Sequence, residues 1–397
     1  MYAHSNEQLA AEANVNGDLS KLRVAIIHYW FVGWAGGEQV VEALAEMFPQ
    51  ADLFALVADP KTMRPSLHDR KLTTSFLQHL PGARKFHRHF IFLHPIALEQ
   101  FDLSGYDLVI SSESGPAKGV ITSPRTCHIC YCHSPMRYIW DMHADYTKRM
   151  GALTKPIFKL SAHYLRIWDY ATAGRVDYFV ANSRFVASRI RKIYGRESTV
   201  IHPPVDVSSA KVSTSQSDYY LSIGRLVDYK HFDLAVEACR NLGRKLRIIG
   251  EGPQMKKLQR IAGPTIEFTG RVDNEELQAS LAGCRAFLFP AEEDFGIAAV
   301  EAQSFGKPVI AYGSGGGLET IRAGIIGNGS IAGQTGVFFP TQSVQSLSDA
   351  ILDFEAREHE FDSTQIREHV LQFDRQVFQE KMKEFIISSL KDFRARF

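Results

Sequence analysis

Nowhere in its 397 residues does the chain hold the run of about 18 apolar side chains that a membrane-spanning helix requires. The first 20 residues (MYAHSNEQLAAEANVNGDLS) have no apolar centre, so they read as neither leader nor anchor but as a mobile tail. Cysteine is scarce: five in all, with Cys127, Cys130 and Cys132 crowded together, which excludes a disulfide framework and predicts a reducing, cytoplasmic setting. On a strand, Cys130 and Cys132 share one face and Cys127 points to the other, so with His133 they read as buried thiols rather than zinc ligands. The formal net charge is only +1, which gives no ground for a nucleic-acid partner. Neither the G-x-G-x-x-G dinucleotide fingerprint nor an Asp-x-Asp pair occurs.

What is present fits an α/β enzyme of two domains. The apolar fraction of 45% and the charged fraction of 22% are those of a globular chain, and its length exceeds one ordinary core. Up to His202 there are 23 Lys/Arg against 18 Asp/Glu, a balance of +5; the rest carries 22 against 26, or −4. From Lys21 onward, strand-like runs alternate with helical spacing, the signature of parallel sheets covered on both faces. Leu22–His28 (LRVAIIH) is a continuous apolar run, and Gly36–Met47 follows with Val40, Val41, Leu44 and Met47 at helical spacing. Further strands are predicted at Asp52–Val57, Asp107–Ser111, His128–Cys132 and Tyr178–Ala181, with a long helix over Lys155–Ala173. The pattern breaks at VIHPPVDV (200–207) and restarts with strands at Tyr219–Ile223, Leu246–Ile249, Ile266–Thr269, Ala286–Phe289, Pro308–Ala311 and Gly336–Phe339. The predicted organisation is a tail (1–20), a first Rossmann-like domain (21–205), a second (206–372) and a final helix (373–397) crossing back to the first.

Parallel sheets bind ligands beyond the carboxyl ends of their strands. Five such places stand out. Gly33-Trp34-Ala35-Gly36-Gly37-Glu38 opens a helix whose free N–H groups suit a phosphate. Gly224-Arg225-Leu226-Val227-Asp228-Tyr229-Lys230 offers two cations to a diphosphate, Arg225 as a fork and Lys230 as a point charge. Gly250-Glu251-Gly252-Pro253 suggests backbone crowded against a base or ribose. Pro290-Ala291-Glu292-Glu293-Asp294-Phe295-Gly296 leads into a helix predicted over Ile297–Phe305, and places Glu293 at a strand end and Glu301 inside an otherwise apolar helix, where a carboxylate needs donors. Sugar hydroxyls are such donors. Gly313–Gly317 is a second amide-rich loop, opening a helix over Leu318–Arg322. Alone, each has a plain structural reading as a turn, a cap or a solvated face; together they describe a cleft enzyme using a nucleotide sugar.

The order G-R-L-x-x-x-K, G-E-G-P, E-x7-E and a glycine-rich loop resembles glycosyltransferase family 4, from about Lys21 to the end of the chain. The resemblance implies the GT-B fold, two Rossmann-like domains with parallel sheets facing across a cleft, with retention of anomeric configuration and no metal or cofactor. It assigns Arg225 and Lys230 to the donor diphosphate, Glu293 to the transferred sugar and Glu301 to the ribose, with Gly36 and Gly37 approaching from the first domain. Gly224, Gly250, Glu251, Gly252, Phe295, Gly296 and Ile297 complete the expected donor site. The stretch Tyr131-Cys132-His133-Ser134-Pro135-Met136-Arg137-Tyr138-Ile139-Trp140-Asp141 is similar to the H-x-P-x-R-Y-x-W-D of bacterial mannosyltransferases that build O-antigen or exopolysaccharide, which implies GDP-mannose as donor and His133 beneath the sugar. Without that resemblance, a lone histidine after a strand reads as structural.

Other readings are a UDP-sugar transferase, an epimerase, a phosphorylase, and a non-catalytic sugar- or nucleotide-binding protein. A periplasmic binding protein needs a leader, and a pyridoxal phosphorylase needs a marked Schiff-base lysine; the sequence shows neither. The basic, aromatic run Arg84–Phe92 suits either a saccharide acceptor groove or the inner face of the cytoplasmic membrane, where a polyprenyl-diphosphate-linked acceptor would lie.

Overall fold

A computed structural model describes residues 19–148, 150–213, 217–324 and 333–397. Most of the expected tail, residues 1–18, lies outside them. Leu19–Lys21 form a 3-10 turn, held by hydrogen bonds from Gln50 Nε2 to the carbonyls of Leu19 (2.8 Å) and Leu22 (3.2 Å). The chain divides into two compact units, one of residues up to His202 plus Phe378–Phe397, the other Pro203–Val377.

The first unit is a seven-stranded parallel sheet in the order β3-β2-β1-β4-β5-β6-β7. Its strands are β1 (Val24–Phe31), β2 (Asp52–Ala58), β3 (Leu72–Thr74), β4 (Leu108–Glu113), β5 (Cys127–Cys132), β6 (Tyr178–Ala181) and β7 (Ser198–Val200). The helices of eight or more residues are α1 (Gly36–Met47), α2 (Thr154–Thr172) and α3 (Arg184–Tyr194), with the end of the last helix, α9 (Arg375–Arg394). On one face Val40, Val41 and Leu44 of α1 pack with Phe378, Met382, Ile386, Leu390 and Phe393 of α9 over Ile26 and Ile110. On the other, Ile27 and Val109 are covered by Leu77, Ala97 and Leu98. Local chemistry agrees: Ser183 caps α3 by accepting from Val186 N, and Gly195 ends it at φ 65°.

The second unit holds a six-stranded parallel sheet, β10-β9-β8-β11-β12-β13. The strands are β8 (Tyr220–Ile223), β9 (Leu246–Ile249), β10 (Ile266–Gly270), β11 (Phe287–Phe289), β12 (Val309–Tyr312) and β13 (Gly336–Phe339), and the helices α4 (Phe232–Leu242), α5 (Asn274–Gly283), α6 (Ile297–Ser304), α7 (Val344–Arg357) and α8 (Ser363–Val370). Both sheets reverse direction of growth beside their first strand, between β1 and β4 and between β8 and β11. In doubly wound sheets that reversal opens the ligand crevice.

Several boundaries move from those expected. Val205 and Val207 join a cluster with Phe295, Val300, Val370 and Phe373, so the prolines at 203 and 204 already belong to the second unit. At the other end the division falls at Val377, within α9, rather than at 372. The helix expected over Leu318–Arg322 is the four-residue turn Gly317–Thr320.

Candidate functional site

In the second unit the reversal point brings two of the expected residues together. Lys230 follows β8 and Glu293 follows β11, and Lys230 Nζ lies 2.7 Å from Glu293 Oε1, with both side chains about four-fifths buried. Burial alone would lower the Lys230 ammonium, but Glu293 reverses this and holds it above its ordinary value. Gly224 makes room for it: a Cβ there would stand 3.0 Å from Lys230 Nζ. Arg225 is exposed, and its guanidinium meets no acceptor among the described residues. Glu301 projects from α6, with no hydrogen-bond or ion-pair partner for its carboxylate among the described residues. Burial, and secondarily Asp206, push it up to about 7.

Other expected donor-site residues already have contacts within the protein. The glycines of Gly250-Glu251-Gly252 are crowded by the protein itself. A Cβ on Gly250 would meet the Gly224 carbonyl at 2.0 Å, and one on Gly252 the Leu226 carbonyl at 2.3 Å. These contacts brace the Arg225 loop, with Leu226 N donating to Glu251 O at 2.9 Å. The Glu251 side chain pairs with Arg271 (Nε–Oε2 3.3 Å). Phe295 is core, its ring edge-on to Phe373 at 5.3 Å, so it offers a ligand no side chain. Gly296 at φ 96° turns the chain into α6, and Ile297 packs on the same core. In the Gly313–Gly317 loop, Gly316 N is already spent on the Glu293 carbonyl (2.8 Å), and Ser314 Oγ donates to Glu292 Oε2 (2.5 Å). That loop therefore positions Glu293 from behind.

The first unit contains a line of polar groups that the motifs did not reveal. His133 Nε2 lies 2.9 Å from Ser112 Oγ, which lies 3.2 Å from Nδ1 of the fully buried His28. His28 Nε2 faces Glu38 Oε1 at 3.6 Å, and the other Glu38 oxygen accepts from Ala35 N at 3.0 Å, capping α1. Four elements supply this line: β1, β4, the end of β5 and the helix opened by Gly36-Gly37. A carboxylate only accepts, so its field favours a hydrogen on His28 Nε2 and leaves Nδ1 to accept from Ser112. The Ser112 oxygen then accepts from His133 Nε2–H, and His133 Nδ1 keeps its lone pair. Burial, with His28 adding to it, lowers His133 to about 3, so the ring is neutral at physiological pH. Gly37 lies against this line: a Cβ there would stand 2.7 Å from the Tyr29 hydroxyl and 3.3 Å from the His28 ring.

Trp140 and Asp141 have structural partners. Trp140 Nε1 donates to Asp169 Oδ2 (2.7 Å), Tyr194 donates to the same oxygen (3.0 Å), and the buried Lys118 bonds Asp169 Oδ1. Asp141 pairs with Arg189 (3.0 Å) and Arg137 (3.4 Å). Cys130 and Cys132 lie in one apolar cluster and Cys127 in another, and no group of three metal-ligating side chains occurs among the described residues.

Two doubly wound parallel sheets, the second with Lys230, Glu293 and Arg225 at its reversal point, give the two-domain architecture of the GT-B glycosyltransferases. Two family models match, "Glycosyltransferase Family 4" over residues 34–209 and "Glycosyl transferases group 1" over 207–369. A glycosyltransferase of Methanocaldococcus jannaschii is 23% identical over 344 residues, 84% of this chain and 88% of that one. A GDP-mannose-dependent alpha-(1-6)-phosphatidylinositol monomannoside mannosyltransferase of Mycolicibacterium smegmatis is 28% identical over 203 residues; the match covers 43% of this chain and about half, 51%, of that protein. The fold is shared with HepE of Anabaena, crystallised with UDP: TM-score 0.67, 15% identity, covering 92% of this chain and 100% of that one. The chain belongs to glycosyltransferase family 4.

Proposed function

We propose that this glycosyltransferase moves mannose from GDP-mannose to a saccharide acceptor, polyprenyl-diphosphate-linked, in cell-surface polysaccharide synthesis, with retention of configuration. The observation that carries the reading is the Lys230–Glu293 pair at the reversal point of the second sheet, with Arg225 unpaired on the same loop. A bound diphosphate competes for Lys230. The ammonium and the Arg225 fork then take the charge that grows on the leaving phosphate, and Glu293, released, accepts from hydroxyls of the transferred sugar. Glu301 accepts from the ribose hydroxyls, which supply the donors the fold withholds. The free lone pair of His133 Nδ1 accepts from a sugar hydroxyl.

As the bond from C1 to the phosphate oxygen breaks, the acceptor oxygen bonds C1 on the same face and its proton passes to the departing phosphate. No covalent glycosyl-enzyme is formed, unlike retaining glycosidases that use a carboxylate nucleophile. The charge stabilisation assigned to Arg225 and Lys230 requires no metal or cofactor. The Mycolicibacterium relative's named donor supports GDP-mannose.

The experiment is a melting and turnover panel with GDP-mannose, GDP, UDP-glucose and UDP, with and without EDTA. GDP-mannose at 100 times its dissociation constant adds about 2.7 kcal/mol of stability. Arg225→Ala is expected to lower turnover on the order of 10²–10³-fold. Stabilisation by UDP-sugars alone refutes the mannose donor, donor consumption without an acceptor product indicates an epimerase, and activity lost to EDTA refutes the metal-free mechanism.

A further inference from the structure

Helix α2 is apolar on two sides, and only one of them is covered. Its inner face buries Ala162 and Leu165 against Met136 and Ile139, and Ser161, Asp169 and Thr172 are buried on the same side. The outer face presents Leu153 just before the helix, then Ile157, Leu160, Tyr164 and Ile167, with exposures from 44% to 89%. Of fourteen large exposed apolar side chains among the described residues, six fall between Leu153 and Tyr170. That density marks a patch rather than normal surface scatter. The spacing alternates four and three residues, and at about 100° per residue the five positions fall within an arc of roughly 80°. The third sector of the helix carries Lys155, Lys159 and His163, all exposed.

Charge identifies the occupant. From Tyr146 to Ala171 the one acidic residue is Asp169, which is buried, so every exposed charge among the described residues there is positive. Two copies joined through this seam would set like charge against like. A neighbouring segment has the same character: Phe86, Phe92 and Ile96 are exposed, Arg84, Lys85 and Arg88 lie close in sequence, and Ile91 packs into the cluster beneath α2.

We propose that α2 docks the protein on an anionic lipid surface, with Ile157, Leu160 and Tyr164 at the acyl boundary and Lys155 and Lys159 on the headgroup anions. The length of the apolar face and the cationic sector on one side of it are those of a helix lying in the interface plane rather than crossing it. No helix among the described residues is long and apolar enough to cross a membrane. The docking does not depend on which sugar is transferred.

The test is co-sedimentation of the full chain with vesicles of phosphatidylcholine alone or mixed with phosphatidylglycerol, at low and high salt. Binding is expected to be roughly tenfold stronger to the anionic vesicles and to weaken with salt. The double variant Ile157→Asp, Leu160→Asp is expected to lose roughly tenfold or more in partition, with an unchanged melting temperature because both side chains are exposed. Lys155→Glu with Lys159→Glu is expected to abolish the preference for anionic vesicles. Wild-type protein that stays in the supernatant, or an apolar double variant that binds normally, overturns the proposal. A dimer in velocity sedimentation that the same double variant dissolves assigns the face to a second copy, which also overturns it.

Discussion

Glu301 is costly to the empty protein. Its ordinary value near 4.5 rises to about 7 in the fold, so the folded state binds more protons than the unfolded state between those values. Stability therefore falls as pH rises from about 4.5 to about 7, by up to roughly 3 kcal/mol, and the penalty persists above. Glu301→Gln should accordingly melt higher than wild type at pH 8 and show a much smaller difference at pH 5. The same variant should bind donor more weakly, by roughly 10–150-fold for one charged hydrogen bond. Hydroxyl donors favour the ionised carboxylate, so wild-type donor affinity should rise from pH 6 to pH 8, as measured by calorimetry. An equal melting difference at both pH values would refute the buried-carboxylate account.

At the scale of elements, the sequence was most legible where side chains on one short segment carried the signal. Continuous apolar runs marked the buried strands, and α1 matches its predicted span of Gly36–Met47. The strands β3 (LTT) and β7 (STV) lie at the sheet edges, are three residues long and carry no apolar run, so nothing announced them. The line Glu38–His28–Ser112–His133 was invisible for a different reason: parallel register, with His28 opposite Ser112, assembles it from distant parts of the chain. The Gly250 and Gly252 motif was legible as crowding, but not as crowding by Gly224 and Leu226.

One element boundary carries a test. His231 stands at φ 50°, at the end of the Lys230 turn and the start of α4, and is the one non-glycine residue with positive φ among those described. A side chain in that region costs about 1–2 kcal/mol, and the extra unfolded-state freedom of glycine takes back part of the gain. His231→Gly is expected to stabilise the protein by about 0.5–1 kcal/mol, read from the denaturation midpoint. A loss of stability would mean that the His231–Asp233 contact at 3.8 Å outweighs the backbone strain.

For the whole molecule, the decisive element is α9, which begins in the second unit and ends in the first. Phe378, Met382, Ile386, Leu390 and Phe393 are buried in the first unit's core. At about 1.5–3 kcal/mol for each side chain, removing them costs roughly 7–15 kcal/mol, comparable with the whole stability of an ordinary domain. A chain ending at Val377 should therefore lose the first unit's cooperative melting transition, while the second unit, with its own apolar clusters, should keep its own. Calorimetry of the truncated chain tests both halves of that expectation.

Synthesis proceeds from the N-terminus, and domains generally fold in that order as they emerge. Here the unit begun first receives its last core side chains from residues 378–393, which are made only after the whole segment of the second unit. Until then, one face of its sheet waits with apolar surface open to the cell, while the later unit can already close. The nascent first unit is thus the natural client for a chaperone, and emergence of residues 378–393 from the ribosome is the event that completes it.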